Sequence, residues 1–452
     1  MKVHTLTLLL AVSGVALAQE AETVDPAAAD AIAPQNPNYF LGDNISLLDG
    51  LLSPHLHIVS AFGGTTAEDQ ADLALNPHDP QADATLQSLE GGLSLRAGML
   101  QGFAVYSATT DADGELDGTL EEGFLKLVDL PFNLELRGGQ FFNRFGFQNA
   151  VHNHGWQFVD INLVNGRFLT EGEYITQGGE VTWNAPTKWG PTALSLAYGG
   201  VPAHGHGEEE DHGHGEEAEF EADGAFFQDW TASANLVTRF DYNDFHQFTG
   251  IGSGAWGRNE FGRNTEIYGL GLQYEWRENG YDPGGKYVRW RTQAMARGIE
   301  VLGGHGHGEE HDEEEEGHDE EEEGHDEEEE GHDEEEEGHD EEEEGHDEEE
   351  EGHDEEEEIV RETLDEFGFY TMLAYGWNDR LETSIRGEWV SGIDEMGLDD
   401  RWRISPAMTF FLNDYQTSHL RLQYNYDISD SFGEDHSFWA QLSWTFGGPE
   451  VR

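Results

Sequence analysis

The sequence predicts an all-β fold: a transmembrane antiparallel β-barrel of about sixteen strands with long, disordered extracellular loops. Three observations predict it. Apolar and polar side chains alternate with period two over many segments of roughly ten residues, the pattern of a strand with one oily and one wet face. The longest connections between those segments recur on one parity, as in barrels whose two rims face different compartments. Beyond residues 1–18 no run approaches the ~20 apolar residues that a membrane-crossing helix needs, which leaves crossing to strands.

Residues 1–18 read as a secretory signal peptide. Met1-Lys2 gives a basic start, Leu6 to Val15 is mostly apolar, and Ala16-Leu17-Ala18 offers an A-x-A cleavage site before Gln19. A short segment, 19–53, precedes a barrel at 54–446 and a C-terminal extension at 447–452. Strands are expected at roughly 54–63, 86–97, 100–109, 118–128, 132–142, 173–184, 191–201, 228–240, 245–256, 265–277, 286–301, 360–377, 379–391, 400–412, 416–427 and 436–446. The alternation is clearest at the end, where Phe438, Ala440, Leu442, Trp444 and Phe446 interleave with Ser437, Trp439, Gln441, Ser443 and Thr445. Aromatics at strand ends, such as Tyr274, Trp276 and Phe446, suit the girdles of a membrane barrel.

An even strand count puts both termini on the periplasmic side. Connections after even strands are then short periplasmic turns, and Tyr242-Asn243-Asp244, Trp377-Asn378-Asp379-Arg380 and Asn413-Asp414-Tyr415 carry turn residues there. Connections after odd strands are extracellular. They include 143–172 and two low-complexity segments, 202–224 and 303–358. A soluble sandwich or propeller would carry a blade repeat or strands apolar on both faces, and neither is found.

Composition narrows the function. The 452 residues contain no Cys, which removes disulfides, thiolate metal sites and Cys nucleophiles. Mean hydropathy is −0.65, a value that barrels reach because only alternate residues face lipid. The net charge of −73 is partly local: 37 of 95 acidic residues fall in 305–358 and 8 in 208–221. The remainder still holds 50 acids against 22 bases. Such a surface repels nucleic acid and attracts cations.

The first low-complexity segment offers His204, His206, His212 and His214 amid Gly and Glu. The second offers His305, His307 and His311, then settles into Gly-His-Asp-Glu-Glu-Glu-Glu, repeated six times over 317–358 with His318, His325, His332, His339, His346 and His353. A seven-residue period without an apolar position is not a coiled coil, and like charges at every turn oppose a helix. Zn²⁺ prefers imidazole, with carboxylate as a supplementary ligand, whereas Ca²⁺ would use the acids alone. A histidine in every repeat therefore favours Zn²⁺ bound at many weak loop sites. A solvated acidic brush without specific ligands is the alternative reading.

Three further sets belong to the barrel. His152 and His154 lie in an aromatic-rich loop with Trp156 and Phe158; folded into the lumen, the pair would form an inner relay site. His55 and His57, two apart on one strand face, suit lumenal packing. Arg137, Arg289, Arg291, Arg297, Arg386 and Arg421 fall on polar strand faces, where porin arginines oppose an acidic constriction loop and set a transverse field. Two apparent motifs do not fit their contexts. Gly252-x-Gly254-x-x-Gly257 ends a strand with no helix after it, and His307-Gly308-Glu309-Glu310-His311 sits in Gly-rich, acidic surroundings that cannot pack a catalytic helix.

The closing strand Ser437–Phe446 resembles the C-terminal assembly signal of outer-membrane barrels, although six residues follow its aromatic end. Leu136-Arg137-Gly138-Gly139-Gln140-Phe141 with Arg144-Phe145-Gly146 resembles a stretch of phosphate-selective porins of the O and P type. Those porins guide anions with lumenal lysines; this chain has three Lys after the leader, so phosphate selectivity does not follow. The His-Gly-His-Gly-Glu and His-Asp-Glu runs are similar to His-rich loops of periplasmic zinc carriers and of zinc-regulated, TonB-dependent outer-membrane receptors. Such receptors are plugged barrels of about 22 strands, and residues 19–53 are too few for a plug. The combined expectation is an outer-membrane porin or receptor, not an enzyme, that concentrates divalent metal, Zn²⁺ first, at the cell surface and admits it. Its partners would be outer-membrane lipid, divalent metal ions, two further copies in a homotrimer and a periplasmic metal carrier. The competing readings are a general diffusion porin with an acidic surface brush and a barrel enzyme.

Overall fold

The computed structural model describes residues 47–67, 70, 73–202, 220, 222–282, 284–303, 360–413, 416–447 and 450. Sixteen strands form: β1 (Leu52–Thr65), β2 (Ala84–Ala97), β3 (Leu100–Thr110), β4 (Leu116–Leu130), β5 (Leu134–Phe142), β6 (Ile175–Ala185), β7 (Thr192–Gly200), β8 (Trp230–Asn243), β9 (His246–Arg258), β10 (Asn264–Arg277), β11 (Tyr287–Gly303), β12 (Val360–Asn378), β13 (Leu381–Val390), β14 (Arg401–Phe411), β15 (His419–Ser429) and β16 (Gly433–Gly447). Each pairs with its chain neighbour, and β1 closes the ring on β16, with Ile58 opposite Trp444. Leu302–Glu362 is a unit by itself, whose described residues are the last of β11 and the first of β12.

The alternation explains the ring. In β14, Arg401, Arg403, Ser405 and Thr409 turn inward and are buried, while Trp402, Ile404, Met408 and Phe410 turn outward and are exposed. In β10 the outward Leu270 is 73% exposed, a burden that water would not tolerate when repeated around sixteen strands but that lipid accepts. Aromatic side chains cluster at both ends of the outer face. Phe240, Phe248 and Tyr274 touch near one rim, and Phe369, Trp389 and Trp402 near the other. A closed ring with an apolar band between aromatic belts is an outer-membrane barrel.

The even connections are short, such as Gly98-Met99 and Asp379-Arg380. The odd connections are more varied than the parity argument expects: 66–83, 143–174 and 201–229 are long, but 111–115, 259–263 and 430–432 are tight turns. Single hairpins need no more than this. The Gly252–Gly257 stretch lies within β9, so it forms no dinucleotide loop.

Two long loops enter the lumen. In the inserted loop, 143–174, Phe145, Phe158, Leu163, Val164 and Phe168 form a buried cluster with Ile267, Met295, Met372 and Val390 of the wall. Burying each such side chain stabilises the insertion by about 1.5–3 kcal/mol. The wall is cut to fit: a Cβ at Gly271 of β10 would stand 2.4 Å from the Phe147 ring. Helix α1 (Leu163–Phe168) is capped by Asn162, whose side chain accepts from the Asn165 N–H. The first loop, 66–83, lies against it; Asp79 accepts from the Ile161 N–H at 2.8 Å.

Candidate lumenal metal centre

One side of the lumen is lined by β1–β4. Period two turns His55 and His57 of β1 and Glu90 of β2 inward, and His57 pairs directly with Glu90 in the strand register. On β4 two consecutive carboxylates, Glu121 and Glu122, both face inward and are buried. A register shift explains this: Val105 of β3 opposes Glu122 while Tyr106 opposes Leu120, which leaves Glu121 as the extra residue of a bulge. Bulges re-aim side chains in this way.

The inserted loop brings His152 and His154 onto this wall, and the first loop brings His78. His152 Nε2 lies 2.8 Å from Glu122 Oε2 and its Nδ1 2.7 Å from Glu121 Oε2. His154 Nδ1 lies 2.5 Å from Glu90 Oε2. The His57 and His154 rings stack with centroids 3.6 Å apart. Glu450, three residues past β16, returns to place a carboxylate oxygen 3.1 Å from His57 Nε2 and 3.6 Å from His154 Nε2. Two sets of ligand atoms result, each within 4.8 Å of one another: His57, Glu90, His154 and Glu450, and Glu90, Glu121 and His152. His55 stacks on Phe103 at 5.2 Å, and neither of its ring nitrogens has a hydrogen-bond partner among the described residues.

Charge and burial together set the acidities of the loop histidines. Burial disfavours the protonated form of His78, but Glu121 and Glu173 outweigh it and push its pKa up to about 10. At His154 burial prevails over Glu90, and the pKa falls below that of an ordinary histidine.

The other side of the lumen is basic. Asp160, at the end of the inserted loop's reach, accepts from Arg386 at 2.6 Å, Asn425 at 2.7 Å, Gln423 at 2.8 Å and Arg403 at 3.2 Å. Burial would raise its pKa, and the two guanidiniums hold it below the usual range. A cavity of about 140 Å³ separates the walls, with His154 and Glu450 on one flank and Arg289, Arg291, Arg386 and Arg421 on the other.

All six arginines expected in the lumen point inward, but they do different work. Arg137 and Arg297 are spent in buried pairs with Glu180 and Glu366. Arg386 and Arg421 hold the inserted loop through Asp160 and the Phe158 and Trp156 carbonyls. Arg289 and Arg291 line the cavity, beside Glu275 and Gln273. The carboxylates that border the same cavity are Glu382 of β13 and Glu450 beyond β16 rather than acids of the inserted loop, whose Asp160 is paired with Arg386 and Arg403. His204, His206, His212, His214, His305, His307, His311, His318, His325, His332, His339, His346 and His353 lie outside the described residues. Sequence reasoning missed Glu90, Glu121, Glu122, His78 and Glu450. Strand parity would have pointed Glu90 inward, but a bulge and a returning tail leave no periodic trace.

No protein-family model and no curated protein sequence matches the chain. Among solved structures, Salmonella typhi OmpF in complex with daunomycin is similar at 11% identity and TM-score 0.48, over 89% of this chain and 100% of that one. The outer-membrane channel DcaP of Acinetobacter baumannii gives 10% and 0.45, over 89% and 99%. The anion-selective porin from Comamonas acidovorans gives 7% and 0.46, over 87% and 98%.

Proposed function

We propose that the chain is an outer-membrane channel that gathers divalent cations, Zn²⁺ foremost, at the cell surface and admits them through its lumen. The observation that carries this reading is the buried wall on which His57, His152 and His154 meet Glu90, Glu121 and Glu450. Imidazole with carboxylate is the donor set that zinc prefers. The His- and acid-rich segments supply the same donors outside the barrel, where their summed charge raises the local cation concentration and the capture rate. Imidazoles and carboxylates in exchange with water suit transfer between several weak sites, which conduction requires.

The test is transport. Full-length protein in liposomes holding a zinc indicator should admit Zn²⁺ faster than a sugar of similar hydrated size. Equal rates, or a preference for anions, would leave a general diffusion porin and overturn the proposal. In cells, deleting 305–358 should slow growth under zinc limitation; undiminished growth would strip that segment of its role.

A further inference from the structure

Two kinds of lumenal carboxylate stand apart. Glu135, Glu180, Glu275, Glu366 and Asp427 each have a Lys or Arg within 3.2 Å. Their charge is balanced permanently. Glu90 and Glu121 instead face imidazoles: His154 at 2.5 Å and His152 at 3.6 Å for Glu90, and His152 at 2.7 Å and His78 at 3.1 Å for Glu121. An imidazole balances a carboxylate only while it holds an extra proton. A buried anion needs a partner, and, unlike Lys or Arg, an imidazole beside it can also hold a metal ion by a lone pair.

The geometry suits a metal. Glu90 is wholly buried, and its Oε1 has no hydrogen-bond partner among the described residues. It belongs to both ligand sets at once. We propose that Glu90 bridges two adjoining divalent-cation positions, one held by His152 and Glu121, the other by His57, His154 and Glu450. A tetrahedral zinc ion sets its donor atoms about 3.3 Å apart, so the His154–Glu90 and His152–Glu121 contacts, now 2.5 and 2.7 Å, open to that separation when the ions enter. A bridging carboxylate holds two ions about 3.5–4 Å apart. Mutual repulsion at that distance weakens each ion's hold, which lets the pair pass ions onward instead of trapping them.

The position of Glu450 gives the pair a direction. The chain delivers it from the end of β16, the periplasmic rim, and it borders the cavity. The His152–Glu121 position therefore receives, and the Glu450 position releases. In both, imidazole nitrogens and carboxylate oxygens hold Zn²⁺ by lone pairs, any proton on a ligating nitrogen passes to water, and no bond between heavy atoms of the chain is made or broken.

This inference rests on the channel reading, and its test separates the two. Full-length protein, crystallised from detergent and soaked in zinc, should show two anomalous peaks about 3.5–4 Å apart on either side of Glu90. Glu90→Gln, nearly identical in shape, should lose both peaks and two chelator-resistant zinc equivalents per chain. Glu450→Gln should lose only the cavity-side peak and one equivalent. Heat-modifiable gel migration shows that each variant still folds; if Glu90→Gln does not, the wild-type peaks and Glu450→Gln decide. No peak at Glu90 in wild type, or a loss in Glu90→Gln no greater than in Glu450→Gln, overturns the bridged pair. Zinc flux without the peaks would sink this site and spare the channel; peaks without flux would do the reverse.

Discussion

Asp160 accepts hydrogen bonds from four side chains of the barrel wall. Its carboxylate joins the inserted loop to β13, β14 and β15 through Arg386, Arg403, Gln423 and Asn425. Asp160→Asn keeps the shape but leaves two buried guanidiniums under-compensated. Each retains one acid, Glu388 or Asp427, so the expected loss is about 3 kcal/mol, read as a lower denaturation midpoint together with a larger single-channel conductance as the loop loosens. The pH dependence has a definite sign. A carboxyl held below its ordinary value of 3.8 stabilises fully above that value and loses its contribution as pH falls through the lowered one. Asp79, the neighbouring acid on the first loop, opposes this by raising the pKa, and the two arginines outweigh it. Wild type and Asp160→Asn should therefore differ in melting temperature at pH 6 and converge toward pH 2. A gap that stays constant would show that the charge of Asp160 does not anchor the loop.

At the scale of the strand, the outward face is the most legible part of the molecule, since lipid enforces it at every second residue. Leu270→Arg puts a charge midway along β10 on the lipid face, which costs about 2–4 kcal/mol near the bilayer midplane; unfolding in lipid vesicles measures it, and a cost near zero would place that face against protein or water. The inward face is less legible, because three devices there break periodicity. The bulge at Glu121 puts two neighbours on one face, where alternation continued from Lys126 and Phe124 would send Glu121 to lipid. The 143–174 loop contributes histidines whose partners lie 30 to 64 residues upstream or, for Glu450, nearly 300 downstream, so the aromatic run around His152 and His154 pointed to an inserted loop but not to their partners. Glu450 follows a strand that already looked complete. The arginines were found by parity, but their roles were not, since pairing with Glu180 or Asp160 depends on register between strands. Those that border the cavity still test the field across it. Replacing Arg289 and Arg291 together with Ala should shift the reversal potential toward cations, and an unchanged potential would mean that neither side chain feels the passing ion.

The whole molecule places its charge by topology. Both His-rich segments interrupt odd connections, after β7 and β11, and the expectation of sixteen strands with periplasmic termini predicts that they face the outside of the cell. Neither 202–224 nor 303–358 contains a Lys or Arg, whereas together they hold nearly half of all the acids. That contrast gives a clean topological test. A glutamyl endopeptidase added to intact cells should cut within both segments, and trypsin should cut within neither. The cut chain should keep its heat-modifiable migration, because every strand remains hydrogen-bonded to two neighbours in the closed ring. It should also bind less zinc while keeping the two equivalents assigned to Glu90. If the glutamyl enzyme cuts only after the cells are opened, the segments face the periplasm. The cation gradient they create would then point out of the cell, and capture at the surface could not be their purpose.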